Sequence, residues 1–191
     1  MAQAVAAEGR AGGHAVRVLP IVKSPKVRLV EEFVTADEAA HIIKVGLPRM
    51  SRSLAGGRQE SIRTSTTAML PANDPVVRRV TERAALVTGY PYANIEPLQL
   101  TRYRTNQEYK PHFDYFAPGT QAFKSDTFHG YTDENGQEIP NQRMYTLFVY
   151  LTEPDPEYRQ CAGGTVFPEC NYEKASSQFH QWTGAPSLPA T

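Results

Sequence analysis

The chain has 191 residues, 40% hydrophobic and 10% aromatic, with 20 Lys and Arg against 20 Asp and Glu. That length suffices for one globular domain with a sizeable core, and a formal charge of zero excludes the global field that draws a protein onto nucleic acid or an anionic membrane. Two cysteines, Cys161 and Cys170, are too few for a disulfide-built scaffold and are expected as free thiols, and nowhere is there an apolar run of the ~20 residues a membrane span requires.

Residues 1–22 mix Ala, Gly and scattered charges and are expected as a flexible arm without a secretory h-region. Order is expected from KVRLVEEF, where Val27, Leu29 and Glu31 alternate against Arg28, Val30 and Glu32 as in a short strand. TADEAAHII opens a helix by the capping-box pattern, Thr35 as N-cap and Glu38 three residues on. Its apolar face is expected from Ala39, Ile42, Ile43 and Leu47, with Pro48 ending it. A Gly56-Gly57 loop leads to SIRTSTTAML, whose β-branched residues predict a strand. In NDPVVRRVTERAALVTGYP, Asp74 is the expected N-cap, Pro75 the first helical residue and Gly89 the stop. Val76, Val77, Val80, Ala84 and Val87 form the apolar stripe of that second helix.

The period then changes to two. EPLQLTRYR, EYKPHFDYF, QRMYTLFVYLT and a short GTVFP are expected as strands. Helices first and strands afterwards give an α+β class, with an antiparallel sheet or barrel carrying the C-terminal half. Between Phe116 and Arg143 lies a long insertion with turn signals at Pro118-Gly119 and Asn135-Gly136, expected as a lid or mobile segment; its His129 reads as a solvated loop histidine. Residues 23–170 form the expected domain and 171–191 an irregular tail.

Chemistry concentrates in YKPHFDYF. In a strand, His112 and Asp114 share one face while Tyr109, Pro111, Phe113 and Tyr115 take the other, so an imidazole nitrogen and a carboxylate oxygen converge. That donor pair suits zinc or non-haem ferrous ion, and a second histidine would complete the two-His-one-carboxylate set of Fe(II) oxygenases. H-x-D is a weak signal by itself. A zinc hydrolase using the same pair stays open, although no H-E-x-x-H accompanies it.

The succession RTSTTAML, DPVVRRVTERAALVTGYPYANIEPLQLTRY, YKPHFDYF, RMYTLFVYLT and GGTVFP resembles the prolyl 4-hydroxylase family of Fe(II)- and 2-oxoglutarate-dependent dioxygenases, particularly its collagen-type and plant or algal members. The resemblance implies a double-stranded β-helix, a jelly-roll-like barrel flanked by N-terminal helices, that hydroxylates peptidyl proline at C4 with Fe(II), 2-oxoglutarate, O2 and ascorbate. His112 and Asp114 then correspond to the first two iron ligands. Tyr103 corresponds to a tyrosine facing the 2-oxoglutarate pocket, with Gln99 and Thr101 on its side; Tyr150, sharing a face with Thr146, corresponds to the residue that binds the distal carboxylate. Arg63 corresponds to a position near the peptide groove. Relatives act in the endoplasmic reticulum, and the partner implied is a proline-containing peptide or protein.

Family members continue with a distal histidine ligand and then a basic residue that pairs with the cosubstrate. Here the histidine after GGTVFP is His180, in QFHQWTG, and no Lys or Arg follows Lys174. His180 is therefore the candidate third ligand, and a chain lacking the last barrel strands is expected, with exposed core side chains. The other expectation is a non-catalytic module whose tyrosines bind proline-rich peptides.

Overall fold

A computed structural model describes residues 5–7, 16–22, 25–55, 61–116, 131–132, 135–136, 138–139, 142–152 and 164–168. Cys161, Cys170, Gly163, His14, His129 and His180 lie outside the described residues, as does the Gly56-Gly57 loop.

Three strands come first: β1 Val5–Ala7, β2 Val16–Val22 and β3 Val27–Glu31, in an antiparallel sheet of order β1-β2-β3. The expected arm is thus corrected over β2, which pairs Arg17 with Glu31 and Leu19 with Leu29. Cross-strand attraction supports that register, since Arg17 Nε donates to Glu31 Oε2 at 2.5 Å. The register shifts between Pro20 and Val22, where a residue without an N–H cannot continue the ladder. Val16 is buried in the core, which gives the strand a hydrophobic reason to stay docked.

Helix α1 runs Ala36–Gly46, and its N-terminus is the expected reciprocal cap: Thr35 Oγ1 accepts from Glu38 N at 3.1 Å, and Glu38 Oε2 accepts from Thr35 N at 3.0 Å. Its inward line is Glu38, Ile42 and Gly46, one step off the expected face, and Leu47 is exposed in the following 3-10 turn Leu47–Arg49. Helix α2, Pro75–Thr88, matches its expected signals closely. Asp74 Oδ1 accepts from Val76 N at 2.9 Å and Val77 N at 3.1 Å, and Gly89 closes the helix at φ 77°, a left-handed turn that favours glycine.

Charged and polar contacts join the helices through Glu38 and through Asp74. Arg83 forks onto Glu38, Nη1 to Oε2 at 2.8 Å and Nη2 to Oε1 at 3.0 Å, and Arg83 Nη1 also donates to Phe33 O at 2.6 Å. Glu38 and Arg83 are both buried, and the guanidinium beside Glu38 holds its carboxyl below the usual carboxylate range. At the other contact, His41 Nε2 lies 2.8 Å from Asp74 Oδ2. Burial pushes the Asp74 carboxyl up, but the His41 hydrogen bond and the Val77 and Val76 amides outweigh it and hold it low.

A second antiparallel sheet has the order β4-β5-β6, from β4 Ser51–Arg52, β5 Thr66–Met69 and β6 Gln99–Arg102. Its pairing of Ala68 with Leu100 sends Leu100 into a core shared with Val16, Phe33, Ile42, Leu70, Val77, Val80 and Ala84. The insertion carries a small hairpin, β7 Tyr131–Thr132 and β8 Glu138–Ile139, with Gly136 at φ 77° in the expected Asn-Gly turn. Among the described residues, antiparallel sheets and two α-helices make the α+β class.

Three expected strands differ. EYKPHFDYF pairs only as far as Lys110, through an antiparallel Arg63–Tyr109 bridge and Lys110 N donating to Ile62 O at 2.9 Å. Pro111 then offers no N–H, and the chain leaves the ladder. Residues 142–152 and 164–168 are also irregular rather than strands. Even so, Leu147, Val149 and Leu151 pack against the core at period two, so the alternation survives without a ladder among the described residues.

Candidate metal centre

The segment bearing His112 and Asp114 is held from both sides. On one side, β5 is extended toward its N-terminus by Arg63 and Thr64, which pair with the chain returning after β6. Thr64 N donates to Glu108 O at 2.9 Å, and Glu108 N donates to Thr64 Oγ1 at 2.7 Å. Residues 104–107 bulge out between the two pairings as a tight turn, with Gln107 N on Arg104 O at 2.9 Å and Asn106 at φ 63°.

On the other side, Gln142 pairs with Phe116 as a backbone strand would. Its Oε1 accepts from Phe116 N at 2.7 Å, and its Nε2 donates to Phe116 O at 3.0 Å. Arg143 next to it forks onto Glu96 at 2.7 and 3.0 Å and lies 4.6 Å from the Phe116 ring centroid. Its pKa is raised, first by the Glu96 hydrogen bond, with the negative charge of Asp114 adding to the effect. These contacts set residues 142–146 beside 112–116.

His112 and Asp114 do converge, though by a turn and not on one strand face: His112 Nε2 lies 3.2 Å from Asp114 Oδ1. His112 Nδ1 lies 2.8 Å from Lys110 O. A carbonyl only accepts, so Nδ1 carries the proton in that bond, and with Nδ1 so engaged a neutral ring would offer its Nε2 lone pair to an ion lying between it and Asp114. The other carboxylate oxygen, Oδ2, accepts from Thr146 Oγ1 at 2.5 Å. One nitrogen and one oxygen thus face each other, each with its second polar atom engaged elsewhere, the arrangement that outer hydrogen bonds give to metal ligands. Both side chains keep about a third of their surface open, 33% for His112 and 38% for Asp114, so an ion could enter.

As donors, a neutral imidazole and a carboxylate fit a ferrous ion or zinc, and supply two of the positions such an ion needs. Among the described residues, no group of three or more His, Cys, Asp or Glu side chains gathers as metal donors.

The remaining expected residues divide. Thr146 belongs to the cluster, through Asp114. Tyr150, on the same alternate face, places its hydroxyl 2.8 Å from Thr165 Oγ1. Tyr103 is half-buried at the break after β6 and shares no hydrogen bond with His112 or Asp114 among the described residues. Gln99, on β6, accepts from Arg63 Nη2 at 2.9 Å, whereas Thr101 is opposite Thr67 in the sheet. Arg63 reaches the centre through Tyr109: its guanidinium carbon is 4.9 Å from the Tyr109 centroid, and Tyr109 stacks on His112. Tyr109, Gln142 and Glu96 were not singled out by sequence. For Tyr109 the available signal was Pro111, since a proline two residues on argues against the strand that would place Tyr109 opposite His112.

Comparison with known proteins gives several similar chains. This chain is 30% identical over 164 residues to Prolyl 4-hydroxylase 5 of Arabidopsis thaliana, covering 82% of this chain and 50% of that protein. It is 27% identical over 179 residues to Probable prolyl 4-hydroxylase 7, covering 90% and 50%, and 29% identical over 154 residues to Prolyl 4-hydroxylase 1, covering 76% and 47%, both also from Arabidopsis thaliana. The chain spans about half the length of the curated relatives it matches. No family model matches it.

Proposed function

This chain belongs to the prolyl 4-hydroxylase family, and we propose that it acts as an Fe(II)- and 2-oxoglutarate-dependent dioxygenase hydroxylating peptidyl proline at C4. The observation that carries the proposal is the facing pair of His112 Nε2 and Asp114 Oδ1 at 3.2 Å. His112 and Asp114 would hold the ferrous ion, with His180, the histidine that follows GGTVFP in the sequence, as the candidate third ligand. When bound, iron with 2-oxoglutarate supplies the chemistry that splits O2, one oxygen entering the proline C4–H bond and the other entering succinate as CO2 leaves, with ascorbate keeping the iron reduced. Thr146 orients Asp114, and Lys110 O sets the His112 tautomer. Tyr103 and Tyr150 would face the cosubstrate, Tyr150 through the hydroxyl now turned to Thr165. The finer fold in this reading is a double-stranded β-helix over residues 23–170, and the compartment is the endoplasmic reticulum.

A second reading, a non-catalytic module for proline-rich peptides, draws on aromatic exposure beside the centre. Phe113 is 69% exposed, Tyr115 46% and Phe148 57%, and polyproline chains dock on such surfaces.

Supplied with Fe(II), 2-oxoglutarate, ascorbate and a proline-rich peptide, the full chain should release succinate in step with a peptide mass gain of one oxygen. His112→Ala and Asp114→Ala should each abolish both. Peptide binding that persists in His112→Ala, with no turnover by the wild-type chain, would overturn the dioxygenase reading in favour of the second.

A further inference from the structure

Two rings in YKPHFDYF that a strand would have put on opposite faces are stacked instead. The Tyr109 and His112 centroids are 3.6 Å apart, with planes 20° from parallel. Leaving the ladder at Pro111 folds His112 back over Tyr109, and the same turn brings His112 Nδ1 to Lys110 O at 2.8 Å.

Tyr109 is in turn held by Arg63. The two residues form an isolated antiparallel bridge, and the guanidinium carbon lies 4.9 Å from the Tyr109 centroid, within cation–π range. Arg63 has little freedom of its own. Its Nη1 donates to Leu54 O at 3.0 Å, its Nη2 to Gln99 Oε1 at 2.9 Å, and its Nε reaches Ser65 Oγ at 3.4 Å. Anchors on three separate stretches of chain fix the guanidinium, which fixes the phenol ring, which fixes the imidazole.

We propose that Arg63 and Tyr109 are positioning residues for His112: the stack holds the ring with Nδ1 on the Lys110 carbonyl and Nε2 aimed at Asp114, ready for a metal. The inference rests on the reading of His112 and Asp114 as metal ligands. It gives Arg63 a task besides contact with the peptide, because each of its three guanidinium nitrogens already has one partner within the chain.

The test uses the full chain, free of peptide and cosubstrate, with Co(II) as the probe ion in a calorimetric titration. Tyr109→Phe keeps the ring and should retain wild-type affinity, whereas Tyr109→Leu should weaken it ~10–100-fold, the usual cost of losing an outer partner of a metal ligand. Arg63→Met should weaken it in the same direction. A second measurement needs no metal: in imidazole nitrogen NMR well above the ordinary histidine range, wild type and Tyr109→Phe should show His112 protonated at Nδ1, and Tyr109→Leu a mixture of tautomers. Wild-type His112 ring protons should also be shifted upfield by the Tyr109 ring, a check that stands whether or not any variant folds. Random-coil positions for those protons, or a tautomer unchanged in folded Tyr109→Leu, overturn the inference. If His112→Ala loses Co(II) while Tyr109→Leu binds it as wild type does, positioning fails and the metal reading stands. If His112→Ala binds as tightly as wild type, the metal reading fails, while the NMR still reports on the stack.

Discussion

Asp114 divides its two carboxylate oxygens between tasks, Oδ1 toward His112 and Oδ2 accepting from Thr146 Oγ1 at 2.5 Å. A carboxylate on a short, exposed turn has rotational freedom that weakens a metal site, and the threonine hydroxyl removes it. Thr146→Val keeps the branched shape and deletes only that donor. Co(II) affinity should fall ~10–100-fold in Thr146→Val and stay near wild type in Thr146→Ser; equal affinities in the two variants would dismiss the hydrogen bond as a tuning contact. Two-residue spacing paired His112 with Asp114 in the sequence, but their contact depends on Pro111 breaking the strand, and the contact of Asp114 with Thr146 on Gln142 gripping the Phe116 backbone. A side chain that imitates a ladder leaves no periodic trace.

Helix α1 shows how far periodicity reaches at the scale of an element. Its cap was legible in Thr35 and Glu38, because both partners lie within one turn. Its inward line was not, since the line includes a carboxylate and a glycine. Gly46 has an ordinary φ of −83°, so space and not backbone freedom demands glycine. A Cβ there would lie 2.4 Å from Leu100 Cδ2 and 3.1 Å from Leu70 Cδ2, where α1 crosses the second sheet. Gly46→Val should therefore destabilise the chain by about 1–3 kcal/mol through overpacking. Urea unfolding would register this as a lower midpoint at unchanged slope, and an unchanged midpoint would mean that the Leu100 side chain swings aside at no cost.

Across the whole molecule, α1 and α2 are joined by charges as well as by Ile42, Val77 and Val80. Glu38 and Asp74 both have folded pKa values below their ordinary 4.5 and 3.8. A lowered acid contributes stability that is complete above its unfolded value and is lost as pH falls through the folded one. The chain should hold its melting temperature near neutrality and lose it progressively in acid, and Glu38→Gln should flatten that acid limb. At neutral pH the same variant leaves Arg83 buried without its anion, which should cost about 3–5 kcal/mol; a thermal melt matching wild type at both pH values would discount the pair. By itself the sequence determined what short-range rules govern: both caps, the α2 stripe, the Asn135-Gly136 turn, the α+β class and the nomination of His112 and Asp114. Tertiary structure decided that Val16–Val22 is a paired strand, that Glu38 and Arg83 meet in the core, and that Tyr109 lies under His112. Each of those contacts joins residues whose placement is set by packing, by a proline that ends a ladder or by a partner far along the chain, and none leaves a period in the sequence.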